Sequence, residues 1–208
     1  MAISEAFSSD ADTSAPGRDP LAVLNTWYEE AVGRGDPLPD AMTLATVTFE
    51  GKPAARIVLF KGLVRGAVFF VTNYQSRKGR ELEHNPHAAL VMHYAKAERQ
   101  VRLEGRVERC SVAESEAYFA SRPRGSQLGA WASPQSQAIS SRAELEQRTR
   151  EVEARFQGKP VTRPESWGGY LVCPDRIELW LGRPDRLHDR FEYVPEPNGA
   201  WRISRLAP

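Results

Sequence analysis

The sequence predicts a mainly β fold of the α+β class, in which an antiparallel sheet or closed barrel carries peripheral helices. Short segments of alternating apolar and polar residues follow one another with tight turns, as in antiparallel strands. Segments with helical spacing and capping residues are separate from these strands and form no regular βαβ units. A chain of 208 residues is long enough to bury a substantial core in one domain.

The N-terminal region predicts a tail followed by a helix. Residues 1–18 are small and polar without periodicity, so we expect a disordered tail, with residues 19–208 forming the single domain. Asp19 can cap a helix that has Pro20 at its first position, and apolar residues at helical spacing extend this helix to Gly33.

The next segments predict strands interrupted by one helix. Three alternating segments are expected to pair as a meander: TLATVTF, AARIVLF and AVFFVTN. Ser76 then caps a short helix that Pro86 ends. Two further strands follow this helix: AALVMHYA and RQVRLEGRVERC.

The second half predicts two helices, a loop and a final meander. Capping boxes begin the helices at Ser111 and Ser141, with Glu114 and Glu144 as the acidic partners. Between them, PRGSQLGAWASPQSQ is rich in Gly, Ser and Gln but contains Trp131, and we expect an ordered functional loop. The last four strands are expected to form a meander: GGYLVCP, the two arms of a hairpin, and AWRISRL.

The hairpin RIELWLGRPDRLHDR carries a basic strand face. Its turn is predicted at Gly182 to Asp185, and strand alternation would place Arg186, His188 and Arg190 on one face. Potentially cationic groups on one face repel each other, which favours a bound anion. Cross-strand pairing with Glu178 on a solvated face would explain the pattern equally well.

Two other basic groups indicate anion binding. Arg77 and Lys78 lie at the predicted start of a helix, where backbone N–H groups favour phosphate, although a solvated helix start has the same composition. Arg122, Arg124 and Ser126 form the second group, where a loop leads into a short helix. One phosphate would not need so many basic groups, whereas a phosphorylated cofactor beside a phosphorylated substrate would.

Composition and motifs exclude several classes of protein. A net charge of +1 gives no overall attraction to nucleic acid. No apolar run approaches the ~20 residues of a membrane helix, and the N-terminus lacks a secretory pattern, so we expect a cytoplasmic protein that does not bind membranes. Cys110 and Cys173 are expected to be buried thiols, and without an HExxH motif or a Cys/His cluster no metal site is predicted.

Five segments in order resemble the pyridoxine/pyridoxamine 5′-phosphate oxidase family: RIVLFK, FVTNYQSRK, ERQVRLEG, YFASRPRGSQLGAWAS and IELWLGRPDRLHDRFEY with the terminal RLAP. The resemblance extends from Asp19 to Pro208. It implies a homodimeric, FMN-binding split β-barrel with the site at the dimer interface. The implied reaction oxidises pyridoxine or pyridoxamine 5′-phosphate to pyridoxal 5′-phosphate with O2, releasing H2O2 and, from the amine, NH3, in vitamin B6 synthesis or salvage.

The resemblance also implies roles for individual residues. Those implied to contact FMN are Arg56, Ile57, Val58, Leu59, Phe60, Lys61, Val71, Thr72, Arg77, Lys78, Gln100, Gln135, Ser136, Trp180 and Arg190. Those implied to contact the substrate are Lys61, Tyr118, Arg122, Ser126, Arg186, Leu187 and His188. Arg186 and His188 are the implied catalytic pair, and His188 could either orient the substrate or move a proton.

The N-terminus departs from the family pattern. Many members carry an Arg- and Tyr-containing segment that closes over the substrate, whereas SSDADTSAPGR contains one Arg and no Tyr.

Two other functions are compatible with the residues. One is a phenazine-pathway oxidase on the same flavin barrel, and the other is a non-catalytic carrier or sensor of FMN or pyridoxal phosphate.

Overall fold

A computed structural model describes residues 19–208, so the predicted N-terminal tail and any substrate lid within it lie outside the described residues. The helices are α1 Pro20–Gly33, α2 Arg77–His84, α3 Val112–Ser121, α4 Arg124–Ala132 and α5 Arg142–Arg155. The strands are β1 Ala41–Val47, β2 Pro53–Leu59, β3 Leu63–Val64, β4 Ala67–Asn73, β5 His87–Tyr94, β6 Arg99–Arg109, β7 Trp167–Leu181, β8 Asp189–Pro195 and β9 Trp201–Arg205. Among these residues, no helix is both long and apolar enough to cross a membrane.

The strands form one antiparallel sheet that curls around the main core. Its order is β2-β1-β5-β6-β7-β4-β3, and β8 and β9 extend from β7. The curl brings the end of β2 to β4, where the Lys61 N–H donates to the Phe69 carbonyl at 2.9 Å and the Phe69 N–H donates to the Gly62 carbonyl at 3.0 Å. This partly closed sheet with helices around it confirms the predicted split-barrel α+β class.

Local capping signals place most helices where the sequence predicted them. The Asp19 carboxylate accepts from the Leu21 N–H at 3.1 Å at the start of α1. The Ser111 capping box at α3 is complete. At α5 the Ser141 hydroxyl accepts from the Glu144 N–H at 3.1 Å, but the Glu144 carboxylate accepts from Ser140 instead of closing the box on Ser141.

The first predicted meander is confirmed for its first two strands, since β1 pairs with β2, and is wrong for the third. β4 pairs with β3 and β7 instead of β2, and the connection includes the short strand β3, which the sequence did not predict. From Ala67 to Phe70 every residue of β4 is buried. A strand buried on both faces needs a neighbouring strand along its length, and β7 supplies it, whereas β4 meets only the residues that follow β2.

The final meander has three strands, because GGYLVCP and RIELWL are one continuous strand, β7. Pro174 is the last residue of the predicted strand GGYLVCP, but β7 continues through it with a bulge at Asp175, because Glu104 pairs with Arg176 and Gly105 with Pro174. A Cβ on Gly105 would lie 2.0 Å from the Cys173 carbonyl oxygen, so this close approach requires glycine. The Cys173 thiol is only half-buried, unlike the predicted buried thiol, whereas Cys110 is buried as expected.

The hairpin arm and the functional loop are also corrected. The last pair of the β7–β8 ladder is Leu181 with Asp189, so residues 182–188 form a loop, and Arg186 has a φ of +60°. Strand alternation therefore does not extend to Arg186, and the predicted basic face is not formed. The expected loop around Trp131 is mainly the helix α4, since its apolar residues pack on the small core near Trp167.

Candidate active site

A cavity of about 610 Å³ opens between the β2–β4 region and helices α3 and α4. Most of the predicted site residues between residues 56 and 136 line this cavity: Ile57, Val58, Leu59, Lys61, Val71, Thr72, Lys78, Tyr118, Arg122, Ser126 and Gln135. It is also lined by residues that were not predicted: Asn73, Pro123, Gly129, Ala130, Ser133 and Trp167. The Phe60 side chain instead points into the core against Tyr28, with ring centroids 5.1 Å apart, so it does not line the cavity.

Arg122 is a candidate anion-binding group in this cavity. Its guanidinium lies 4.5 Å from the Trp167 ring centroid and 5.7 Å from that of Phe119. Its Nη1 is buried and has no hydrogen-bond partner among residues 19–208. Burial lowers the pKa of Arg122, so the charge is incompletely solvated. An anion in the cavity would compensate both the missing hydrogen bond and the desolvation.

Unlike Arg122, Lys61 and Arg124 have bonding partners for their charged groups. Lys61 Nζ lies 3.0 Å from the Asp40 carboxylate, and both side chains are about one quarter exposed. Arg124 does not line the cavity, because its guanidinium donates to the carbonyls of Phe156 at 2.7 Å and Lys159 at 3.0 Å. The predicted basic group therefore divides into Arg122 in the cavity and Arg124 in a structural contact, which their spacing could not reveal.

A second depression of about 510 Å³ adjoins the first and shares Lys78 and Gln135 with it. Its other lining residues are Pro53, Ala54, Ala55, Arg56, Arg77 and Ser136. Lys78 Nζ donates to three uncharged oxygens, on Thr72 at 3.1 Å, Gln135 at 3.3 Å and Ser76 at 3.4 Å. Burial and the neighbouring Arg56 charge lower the pKa of Lys78, so this depression favours an anion.

Glu81 lies beneath this depression and was not identified from the sequence. Its side chain is 2% exposed and accepts hydrogen bonds from the Thr46 hydroxyl at 2.6 Å, Arg56 Nη2 at 2.7 Å and Arg77 Nε at 2.8 Å. Burial raises the pKa of Glu81, but these three donors outweigh it and the pKa lies below its usual value. The spacing of Arg77 and Glu81 on α2 is visible in the sequence, whereas the burial that unites the group is not.

The remaining predicted residues form a separate group along β6, β7 and β8 and the loop between β7 and β8. This group does not line the cavity and consists of Gln100, Trp180, Arg186, Leu187, His188 and Arg190. Gln100 and Arg190 flank Trp180 in the ladders, and the Trp180 and His188 rings are 4.6 Å apart. The His188 Nδ1 accepts from the Arg183 N–H at 3.1 Å.

Within this group Arg190 has the cross-strand partner that was the alternative explanation of the basic face. Glu178 accepts from Arg190 Nε at 2.8 Å and Nη2 at 3.1 Å, and from Arg102 at 3.0 Å. The adjacent Asp189 is buried and pairs with Arg183 at 2.8 Å. These contacts fix the start of β8, whereas Arg186 and Leu187 remain exposed in the loop.

Two family models match most of the chain. Residues 36–156 match the family model described as pyridoxamine 5′-phosphate oxidase, and residues 167–208 match the pyridoxine 5′-phosphate oxidase C-terminal dimerisation region. The pyridoxine/pyridoxamine 5′-phosphate oxidase of Burkholderia thailandensis is 54% identical over 200 residues, which are 95% of this chain and 92% of that protein. The protein of that name from Rubrobacter xylanophilus is 55% identical over 190 residues, 91% of this chain and 87% of that protein.

Two solved structures share the fold. PhzG from Burkholderia lata 383, solved with tetrahydrophenazine-1-carboxylic acid, has a TM-score of 0.87 and 28% identity, covering 94% of this chain and 96% of its own. A pyridoxamine 5′-phosphate oxidase-related, FMN-binding protein from Nostoc punctiforme has a TM-score of 0.71 and 19% identity, covering 93% of this chain and 98% of its own, and shows the fold alone. Together with the family models and the curated relatives, these findings establish that the chain belongs to the pyridoxine/pyridoxamine 5′-phosphate oxidase family.

Proposed function

We propose that this protein oxidises pyridoxine and pyridoxamine 5′-phosphate to pyridoxal 5′-phosphate with FMN as cofactor and O2 as electron acceptor. The observation that carries the proposal is the presence of two separate candidate anion-binding sites, called seats below. Arg122 Nη1, which has no hydrogen-bond partner in the described part of the chain, marks one seat in the larger cavity, and Arg56, Arg77 and Lys78 surround the other. Two seats suit a phosphorylated substrate bound beside a phosphorylated cofactor.

The second seat fits the phosphate of FMN. Its two arginines and Lys78 supply positive charge, and Gln135 and Ser136 add polar groups that can bond to phosphate oxygens. The adjoining cavity has an apolar strip of Ile57, Val58 and Leu59 on which a flavin ring could lie. When bound there, FMN would supply the two-electron acceptor that the protein itself lacks.

The site requires a second protomer in this proposal. Trp180, Arg186, His188 and Arg190 do not line the cavity of their own chain, although the resemblance assigns them to the same site as Arg122. Residues 167–208, which contain all four, match the dimerisation region of the family. A homodimer in which each hairpin reaches the partner's cavity would bring the two groups together.

The chain's own residues would position the substrate. Lys61, Tyr118, Arg122 and Ser126 would hold its phosphate, while Arg186 and His188 would orient the ring and the carbon that bears the amine or hydroxyl. The bound cofactor would supply the acceptor for a hydride from that carbon, and the substrate would also lose a proton. The alcohol would give the aldehyde directly, and the amine would give it after hydrolysis with release of NH3. O2 would take up the two electrons and two protons and leave as H2O2.

The hydrogen bond at His188 favours the orienting role over proton abstraction. Because Nδ1 accepts from the Arg183 N–H, the proton of the neutral ring is on Nε2, which therefore donates. His188→Asn, which can keep an N–H donor, should retain more turnover at saturating substrate than His188→Ala. Unchanged turnover in His188→Asn would exclude the proton-transfer role, and unchanged turnover in His188→Ala would exclude the orienting role as well.

One assay tests the function against its alternatives. The purified protein with FMN is incubated under air with each phosphorylated vitamer, and the aldehyde absorbance and H2O2 are followed. The structural similarity to PhzG makes a reduced phenazine carboxylic acid the comparison substrate. Formation of aldehyde and peroxide from the vitamers supports the proposal; turnover of the phenazine alone, or of neither substrate despite bound FMN, would reject it.

A further inference from the structure

The cofactor seat contains a carboxylate at a position where electrostatics alone would disfavour one. Arg56, Arg77 and Lys78 attract an anion, yet Glu81 lies directly beneath them with its side chain 2% exposed. A buried carboxylate is costly unless hydrogen bonds compensate it, and it repels a bound phosphate. Its presence therefore calls for a function that outweighs this repulsion.

The hydrogen bonds indicate that function. One carboxylate oxygen of Glu81 accepts from Arg56 Nη2 at 2.7 Å, and the other accepts from Arg77 Nε at 2.8 Å. Arg56 Nη1 also donates to the Leu44 carbonyl at 3.3 Å and to the Thr46 hydroxyl. Both guanidinium groups are thus fixed by one rigid acceptor, whereas an exposed arginine would otherwise sample many rotamers.

Both arginines line the seat, and Arg77 keeps accessible donors there. Arg77 is bound to Glu81 through Nε, and its side chain is 61% exposed, so its Nη groups stay accessible. Three cations and one carboxylate leave a net charge of two positive units around the depression. That charge complements a phosphomonoester, which carries about −1.5 to −2 near neutral pH.

We propose that Glu81 is the positioning residue of the cofactor phosphate seat and sets the preference of the protein for FMN over riboflavin, which lacks the phosphate. The inference rests on the proposed FMN cofactor. Glu81 would not touch the cofactor; it would act through Arg56 and Arg77. A residue that only stabilised the fold would affect both flavins equally, so the ratio of their affinities separates the two roles.

The test is a flavin titration of the full-length protein freed of flavin. FMN and riboflavin are each titrated against wild type and Glu81→Gln by quenching of flavin fluorescence. The amide of Glu81→Gln cannot accept from both arginines, so FMN affinity should fall by about tenfold to a hundredfold, the factor expected for one hydrogen bond to a charged group. Riboflavin affinity should stay within about twofold of wild type, since it makes no phosphate contact.

Two further variants keep the test decisive. Glu83→Gln, on the same helix with a side chain 66% exposed and paired with Arg109, should leave both affinities unchanged. Thr46→Val has nearly the same shape as wild type and removes only the hydroxyl that contacts Arg56 and Glu81, so it tests the same network if Glu81→Gln does not fold. It should lower FMN affinity by about threefold to tenfold and spare riboflavin.

The outcomes distinguish this inference from the proposed function. Equal losses for both flavins, no loss of FMN affinity, or a wild type without preference for FMN would each overturn the role of Glu81. If wild type prefers FMN but oxidises neither vitamer, the proposed function fails, while the role of Glu81 still stands or falls on the affinity ratio.

Discussion

Arg122 and Arg124 are two residues apart, yet the structure predicts opposite consequences of replacing them. Arg122 has a buried Nη1 without a partner in residues 19–208, whereas Arg124 donates to two backbone carbonyls. Replacement of each arginine by methionine keeps most of the aliphatic stem and removes the charge. Arg122→Met should impair substrate binding with little effect on stability, and Arg124→Met should do the reverse.

The magnitudes follow from the contacts. Arg122→Met loses the cation–π contact with Trp167, about 0.5–2 kcal/mol, but also relieves an unsatisfied buried donor, about 1–3 kcal/mol, so the free energy of unfolding should change little. Substrate phosphate would lose a charged hydrogen bond worth about 1.5–3 kcal/mol, which raises KM by about tenfold or more. Arg124→Met loses two hydrogen bonds, about 1–2 kcal/mol together, and should lower Tm by roughly 2–6 °C.

The measurements are KM for pyridoxine 5′-phosphate and Tm of the flavin-free protein for wild type and both variants. Flavin-free protein is needed because bound cofactor would add its own stabilisation. If Arg122→Met lowered Tm as Arg124→Met does while KM stayed unchanged, the assignment of Arg122 to the substrate phosphate would be refuted. An increase in KM for Arg124→Met would show instead that the two arginines share the seat.

Other predictions concern the cofactor seat, the loop and the sheet. Because burial lowers the pKa of Lys78 and only its protonated form attracts phosphate, FMN affinity should fall as pH rises toward the alkaline range, starting below the ordinary lysine pKa of about 10.4; flavin titrations across pH should show this for wild type and not for Lys78→Met. Arg186→Leu should cost about 1.5–3 kcal/mol in kcat/KM for the vitamers while FMN is retained, and loss of flavin would assign Arg186 to the cofactor instead. Gly105→Ala should lower Tm strongly, since the new Cβ would lie 2.0 Å from the Cys173 carbonyl oxygen, and Gly125→Ala, with open space around it, is the control.

Local signals in the sequence predicted most elements, because each depends on neighbouring residues. Asp19, Ser76, Ser111 and Ser141 each cap the helix that follows them. Strand partners depend on distant residues, so the position of β4 beside β7 could not be read from alternation alone. The continuity of β7 through Pro174 was missed for the same reason, since the bulge at Asp175 shows only in the pairing with β6, where Glu104 pairs with Arg176 and Gly105 with Pro174.

The sequence predicted which types of residue line the candidate site, but not how their side chains are hydrogen-bonded or buried. The basic residues that line the cavity and its neighbour were identified by type and, through the resemblance, by position. Burial decides their use: it leaves Arg122 Nη1 without a hydrogen-bond partner among residues 19–208, directs Arg124 to backbone carbonyls and places Glu81 beneath two arginines. Sequence spacing carries no information on burial at this level, so Glu81 was found only in the folded chain.

The length of β7 has a consequence for the proposed dimer. Near its start, Trp167 lies against Arg122 in the cavity of its own protomer, and near its end Trp180 belongs to the hairpin proposed to enter the partner's cavity. Its 15 residues would span roughly 50 Å if straight, at about 3.3 Å per residue. Each active site would therefore be connected to the other by a single hydrogen-bonded strand, and a ligand that displaces Trp167 in one site would act on the element that completes the second. Flavin and substrate titrations of the dimer should accordingly be fitted for cooperativity between sites, not only for one class of independent sites.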